Sequence, residues 1–89
     1  MLIIIPAFNE SANIKALLTK IKNLKFKSTD VLVVNDASMD NTSILAKSCG
    51  VKVADLPVNL GIGGAVQTGY LYAYENNYDI AIQVDGDGQ

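Results

Sequence analysis

Four short apolar runs constrain the fold of this chain more than any other feature. They cover Leu2–Pro6, Val31–Asn35, Val51–Leu56 and Ile80–Val84, and each is rich in Ile, Val or Leu. None alternates cleanly between apolar and polar residues. Continuous apolar runs are typical of parallel strands that are buried on both faces. The runs therefore predict four strands of a mostly parallel sheet.

Helical patterns separate these runs. Apolar residues at helical spacing mark the first helix: Ile14, Leu17, Leu18, Ile21 and Leu24. We expect Asn9 or Ser11 to cap it. The second helix has three candidate N-caps: Asp40, Asn41 and Thr42. Gly50 follows that helix at the position that favours glycine, and a third helix is expected from just after Gly61–Gly64 to about Glu75.

The resulting order βαβαβαβ predicts an α/β domain of Rossmann-like type with right-handed crossovers. Ligands of such sheets bind beyond the carboxyl ends of the strands. Polar residues collect at these ends: Asn9, Glu10, Asp36, Asp85 and Asp87. Each alone is readily explained as an ordinary loop residue. Acidic residues at three strand ends together favour a binding site.

Composition excludes several classes of function. The 89 residues are 49% hydrophobic and 18% charged, which excludes a disordered tail. The chain has no His and no Arg, so it cannot form a Ser-His-Asp triad or a histidine zinc site. Cys49 is the single cysteine and cannot form an intramolecular disulfide. The net charge of −2 argues against nucleic acid as a partner.

No apolar run approaches the length of a membrane span, which is about 18 residues or more. The apolar opening is too short for the core of a signal peptide and has no basic residues before it. We therefore expect a cytoplasmic protein, and its location allows contact with the inner face of a membrane.

The most specific local feature is Asp85-Gly86-Asp87-Gly88-Gln89, which follows the fourth apolar run. Two carboxylates at positions i and i+2 can converge on one hard cation such as Mg²⁺ or Mn²⁺. The Gln89 amide oxygen could supply a third ligand. The alternative is a simple turn, because Asp-Gly pairs are common turn formers. Spacing alone does not decide between the two.

The glycine-rich stretch Asn59–Ala65 also has two interpretations. It matches neither a Walker A loop nor the dinucleotide fingerprint, since Val66 stands where a third glycine belongs. Its backbone N–H groups could hold an anion at a helix start. Equally, its glycines could allow close packing of helix and sheet. Tyr70 and Tyr74 share a helix face, and we expect them to pack rather than to bind a ligand.

Four motifs occur in the order that is typical of one enzyme family. They are Ile3–Glu10, Val33–Asp40, Asn59–Ala65 and Asp85–Gln89. Together they resemble the family 2 glycosyltransferases, and within it the polyprenyl-phosphate sugar transferases of the dolichyl-phosphate mannose and glucose synthase type. The resemblance covers the whole chain, but only the N-terminal, nucleotide-binding half of that catalytic domain.

The resemblance implies a GT-A fold and transfer of a sugar from a UDP- or GDP-sugar. It assigns nucleotide-binding roles to Pro6, Phe8, Glu10, Val34, Asp36, Asp85, Gly86 and Asp87. It assigns the metal, Mg²⁺ or Mn²⁺, to Asp85, Asp87 and Gln89. The implied acceptor is a polyprenyl phosphate or a saccharide. The metal would stabilise the departing diphosphate, and no residue of the chain is assigned as a catalytic base.

Three residues depart from the family pattern. Phe8 stands where Tyr is frequent, which removes a hydroxyl and keeps the ring. Asn35 replaces the first residue of a common Asp-Asp pair, whereas Asp36 keeps the second. Ile62 stands where many relatives carry Lys or Arg, which weakens a phosphate role for the glycine-rich stretch.

The sequence stops directly after the acidic loop, which predicts that residues 1–89 are an incomplete catalytic domain. We expect this piece alone to be inactive and to self-associate through an exposed sheet edge. The alternative is a nucleotide-binding or interaction module without catalysis. A sugar-phosphate nucleotidyltransferase fits less well, because that class needs a Gly- and Arg-rich loop after the first strand. A receiver domain also fits less well, since the first strand ends in Pro6 rather than an acidic pair.

Overall fold

The computed structural model describes residues 1–24 and 29–85. Its seven elements follow the order βαβαβαβ that the sequence predicts. The strands are β1 (Leu2–Ala7), β2 (Asp30–Asn35), β3 (Lys52–Asp55) and β4 (Ala81–Gln83). The helices are α1 (Ile14–Asn23), α2 (Thr42–Ser48) and α3 (Gly61–Glu75).

The four strands form one parallel sheet in the order β3-β2-β1-β4. The chain moves outward from β1 to β2 and β3, then returns to pair β4 on the other side of β1. Helices α1 and α2 cover one face of the sheet and α3 covers the opposite face. The strand order therefore reverses at β1, and such a switch point is where sheets of this type bind ligands.

Alternation along β1 builds two apolar clusters, one on each face of the sheet. Ile3 and Ile5 pack towards α1 and α2, whereas Leu2 and Ile4 pack towards α3. Every residue of β1 is buried. This double burial explains why the strand is continuously apolar.

The ladder between β1 and β4 ends early, and Pro6 accounts for this. The N–H of Leu2 donates to the carbonyl of Ile80, and the N–H of Val84 donates to the carbonyl of Ile4. The backbone of even-numbered β1 residues therefore faces β4. Pro6 is the next residue on that side and has no N–H to donate. The sheet opens there, beside the carboxyl end of β1.

Two expectations about helix starts are wrong. The N-cap of α1 is Asn13, not Asn9 or Ser11, and the Glu10 carbonyl accepts the N–H groups of Asn13 and Ile14. Helix α3 begins at Gly61, inside the glycine-rich stretch rather than after it. Gly61 has φ +79°, a left-handed conformation that glycine adopts without steric cost.

The expected packing of Tyr70 and Tyr74 is also wrong, because these rings are 43% and 81% exposed. The side of α3 that meets the sheet carries small residues, Ala65, Gly69 and Ala73. Large rings on that side would hold the helix away from β1. Within residues 1–24 and 29–85, no helix combines the length and the apolar character that crossing a membrane requires.

Candidate functional site

A cavity of about 360 Å³ lies beyond the carboxyl ends of β1, β2 and β4. It occupies the switch point, next to the opening that Pro6 creates. Its described lining residues come from three strand ends and from α3: Pro6, Ala7, Phe8, Glu10, Asp36, Ile62, Ala65 and Asp85. The acidic residues of the three strand ends therefore meet at one edge of the sheet, as the sequence predicts.

Phe8 and Glu10 stand on the loop that follows β1. The Phe8 ring is 46% exposed at the cavity, although it is large and apolar. An exposed ring beside a cavity offers a flat surface for stacking a planar ligand. The Glu10 side chain accepts a hydrogen bond of 3.3 Å from the Asn13 amide at the start of α1.

A set of hydrogen bonds, here named the loop clasp, fixes this loop to the loop after β2. Three successive N–H groups donate to side-chain oxygens across the gap. Their pairs are Asn9 to Ser38 at 3.0 Å, Glu10 to Thr42 at 2.9 Å and Ser11 to Asp40 at 3.1 Å. In return, the N–H of Met39 donates to the Asn9 amide oxygen at 2.8 Å. These bonds give the N–H groups of the loop after β1 partners within the protein.

The clasp requires two unusual backbone conformations. Asn9 has φ 53° and Ala37 has φ 58°. Asn tolerates the left-handed region, but Ala pays a steric penalty of about 1–2 kcal/mol there. Strain of this kind persists only where surrounding contacts hold it, and it is common at functional sites. Here it lies directly after Asp36.

Asp40 is the charged member of the clasp. Its carboxylate accepts hydrogen bonds from the Thr42 hydroxyl, from the Thr42 N–H and from the Ser11 N–H. These bonds, with that of the Thr42 hydroxyl foremost, lower the pKa of Asp40 from 3.8 to about 2. The bond from the Ser11 N–H is therefore stronger when Asp40 is ionised.

Asp36 connects the cavity to α3. The residue is 3% exposed, yet it lines the cavity. Its Oδ1 accepts the N–H of Leu60 at 2.7 Å, directly before α3. A carboxylate is stabilised at this end of a helix. One N-terminal donor of the glycine-rich stretch is thus used by the protein's own carboxylate.

Asp85 brings the third carboxylate to the cavity, and its Oδ1 accepts a hydrogen bond of 3.1 Å from the Gln83 amide. The described lining contains three acids and no lysine. Gly86, Asp87 and Gln89 lie outside the described residues. Among the residues that are described, no cluster of three or more His, Cys, Asp or Glu residues is placed to hold a metal ion.

The other sequence predictions fall away from the cavity. Val34 is fully buried in the cluster beneath α3 and is not among the described lining residues. Asn35 points to β3, where its amide donates to Asp55 at 2.9 Å. Position 35, where the family pattern has Asp, therefore lies beside the site rather than in it.

Sequence reasoning missed the partners that hold the site. Ser38, Asp40 and Thr42 follow each other at every second residue, and this spacing was a usable signal. As N-cap candidates, Asp40 and Thr42 are expected to bond within α2, whereas both also accept N–H groups of the loop after β1. Ala65 was missed as a wall of the cavity. Ala65 closes the glycine-rich stretch, but an alanine side chain gives no chemical signal of a cavity wall.

Comparison with known proteins agrees with this arrangement. The family model described as "Glycosyl transferase family 2" matches residues 2–89. An undecaprenyl-phosphate mannosyltransferase of Micrococcus luteus is 34% identical over 93 residues, which cover 99% of this chain and 38% of that protein. The chain thus spans well under half the length of this relative.

Solved structures show the same fold. A mannosyltransferase of Pyrobaculum calidifontis, in complex with GDP-Man and Mn²⁺, has a TM-score of 0.87 at 22% identity, covering 97% of this chain and 27% of that one. Glucosyl-3-phosphoglycerate synthase of Mycobacterium tuberculosis, in complex with Mn²⁺ and UDP, has a TM-score of 0.76 at 26% identity, covering 96% and 32%. Both align along β1 to β4 with the GT-A type of α/β sheet. The match over residues 2–89 shows that this chain belongs to glycosyl transferase family 2.

Proposed function

We propose that residues 1–89 form the nucleotide-sugar-binding part of a glycosyltransferase catalytic domain. The enzyme would transfer a sugar from a UDP- or GDP-sugar to a polyprenyl phosphate or a saccharide. The observation that carries the proposal is the cavity where Phe8, Glu10, Asp36 and Asp85 meet. Family membership and the M. luteus relative support the reaction class and the lipid acceptor.

The nucleoside would lie against Pro6 and Phe8, with Glu10 and Asp36 as acceptors for its N–H and hydroxyl groups. The position of Asp36 in the cavity lining supports this role, with Oδ1 engaged by the Leu60 N–H. Val34 would support this pocket from the core beneath α3.

A divalent cation fits the chemistry of the remaining lining. A diphosphate entering this cavity meets carboxylates and no described lysine, so it needs a bridging positive charge. Asp85 supplies the oxygen ligand that Mg²⁺ and Mn²⁺ prefer. Asp87 and Gln89 would complete the set, and Gly86 would allow the backbone to approach the diphosphate. When bound, the cation would stabilise the charge of the leaving diphosphate.

Calorimetric titration with UDP and with GDP, each with and without Mn²⁺, tests this proposal. We expect one nucleotide to bind, and Mn²⁺ to strengthen its binding. Asp85→Asn should reduce the gain in nucleotide affinity from Mn²⁺ by roughly tenfold or more. Even changes to residues outside the ligand shell of a metal typically lower metal affinity or activity by about 10–100-fold. Asp79→Asn is the matched control, because Asp79 is exposed and is not among the residues that line the cavity.

Two results would contradict the proposal. One is the absence of nucleotide binding in the protein that includes this chain. The other is Mn²⁺-dependent binding that Asp85→Asn leaves unchanged.

We propose that residues 1–89 alone bind the nucleotide without transferring sugar. Sugar transfer by that piece at the rate of a full-length relative would overturn this part. Exposed Ile80 and Ile82 at the β4 edge support the proposed self-association.

A further inference from the structure

Two consecutive residues hold Asp36 from the direction of α3. The Asn59 side-chain amide donates to the Asp36 carbonyl at 3.1 Å. The N–H of Leu60 donates to Asp36 Oδ1 at 2.7 Å. One bond fixes the backbone of Asp36 and the other fixes its carboxylate. We name this pair of bonds the Asp36 clamp.

The clamp also sets the position of the α3 wall of the cavity. Helix α3 begins one residue after Leu60, and its residues Ile62 and Ala65 line the cavity opposite the β1 loop. Gly61 turns the chain with a φ of +79° between the clamp and the helix. A displacement of Asn59 would therefore move both Asp36 and the start of α3.

We propose that Asn59 is a positioning residue for nucleotide binding, acting through Asp36 and the start of α3. Asn59 is not among the residues that line the cavity, so its effect on a ligand is indirect. This inference depends on the proposed function for its ligand. It adds a residue whose role neither the fold nor the cavity lining assigns.

Asn59→Ala should weaken binding of the nucleotide by roughly three- to tenfold, the fold-change that corresponds to one net hydrogen bond. Asn59→Asp should weaken it at least as much, because an acceptor would then face the Asp36 carbonyl. The matched control is Asn76→Ala. Asn76 also donates from its side chain to a backbone carbonyl, that of Tyr72 at 2.9 Å, but at the far end of α3.

The measurement combines calorimetry with UDP and GDP, in the presence of Mn²⁺, with amide hydrogen exchange at Leu60 and the free energy of unfolding. We expect Asn59→Ala to speed amide exchange at Leu60 and to weaken nucleotide binding. We expect Asn76→Ala to lower the free energy of unfolding by a similar amount and to leave nucleotide affinity unchanged. Equal loss of affinity in both variants would reduce Asn59 to a structural residue and overturn the inference.

Nucleotide binding by the wild-type protein separates the failure of the proposed function from the failure of the positioning role. If the wild-type protein binds neither nucleotide, the proposed function fails and the positioning role fails with it, whatever Leu60 does. If the wild type binds and Asn59→Ala speeds Leu60 exchange without changing affinity, only the positioning role is overturned. Unchanged Leu60 exchange in Asn59→Ala would show that the Asn59 bond does not help to hold the Leu60 N–H on Asp36, and this result would also overturn the positioning role.

Discussion

At the scale of single residues, Asn35 ties together three segments. Its side-chain amide donates to Asp55 at the end of β3, and its Oδ1 accepts the N–H of Ser38 at 3.2 Å. Ser38 in turn accepts the N–H of Asn9 in the loop clasp. An amide can donate on one side and accept on the other, whereas a carboxylate can only accept. An ionised Asp at position 35 would have no donor to offer to Asp55.

We predict that Asn35→Asp destabilises the fold by about 1–3 kcal/mol, because a buried carboxylate would face Asp55 without a donor between them. Asp55→Asn alone would keep an amide facing an amide and lose the ion pair of Asp55 with Lys47. The double variant Asn35→Asp/Asp55→Asn restores the bond in the reverse direction. Urea unfolding of the three variants checks this.

The informative quantity is the coupling between the two changes. We expect the double variant to be more stable than the sum of the single effects, as is usual for residues in direct contact. Additive effects would mean that the bond between Asn35 and Asp55 contributes nothing to stability.

At the scale of elements, the approach of α3 to β1 sets the geometry of the sheet's second face. Gly69 lies against Ile4, and a Cβ built at Gly69 would collide with Ile4 Cγ2. Both residues are buried. The glycine that brings helix and strand together is therefore Gly69, which lies outside the Asn59–Ala65 stretch singled out in the sequence.

Gly69→Ala should destabilise the protein by about 1–3 kcal/mol, the usual cost of forcing an extra group into a packed interior. Gly63→Ala is the control in the same helix, since a Cβ there meets nothing within 4 Å. That change should be neutral or stabilise by up to about 1 kcal/mol through helix propensity. Thermal and urea unfolding measure both. A Gly69→Ala variant as stable as Gly63→Ala would disprove the close approach.

At the scale of the whole molecule, hydrogen-bonded groups with shifted pKa values lie near both ends of the strands. At the carboxyl edge, Asp40 and Asp55 each have a pKa lowered to about 2, mainly by hydrogen bonds from Thr42 and from Asn35 respectively. Near the amino edge, Tyr78 donates to Asp30 at 2.5 Å, and this bond raises the pKa of Tyr78 to about 12. Stability should therefore fall at both extremes of pH.

The direction follows from comparing folded and unfolded pKa values. Asp40 and Asp55 are more acidic when folded, so their contribution is complete above about pH 4 and is lost as pH falls towards 2. Tyr78 is less acidic when folded, so its contribution is complete below about pH 10 and is lost as pH rises towards 12. Urea midpoints measured across this range test both limbs.

Variants show which residue causes the loss of stability at acid pH and which causes the loss at alkaline pH. Asp40→Asn and Asp55→Asn should each flatten the decline between pH 4 and 2, and Tyr78→Phe should flatten the decline above pH 10. If the acid limb keeps its slope in both Asp variants, these carboxylates do not control acid unfolding. Protonation of Asp40 should also weaken its bond to the Ser11 N–H, so the protection of that amide against exchange should fall over the same pH range.

Much of the architecture could be predicted from the sequence. The apolar runs and helical patterns predicted the element order, and the order predicted that Glu10, Asp36 and Asp85 would meet at one edge. Boundaries were less accurate. Gly61 starts α3 rather than preceding it, and Pro6 is followed by one more residue of β1. These details depend on which backbone groups find partners, and a local pattern does not contain that information.

The sequence by itself determined the α/β class, the parallel sheet and the family. Periodicity within short segments, and the order of segments and motifs along the chain, can both be read without knowing which residues meet in space. Tertiary structure alone decided how the site is held. The loop clasp joins residues 29 to 32 positions apart, and the bond of Leu60 to Asp36 spans 24. Ser38, Asp40 and Asn59 could equally have served as local caps or turn residues. Packing of the helices on the sheet brought these side chains within hydrogen-bond distance of N–H and carbonyl groups that lie far away in the sequence, and a local pattern does not contain those distances.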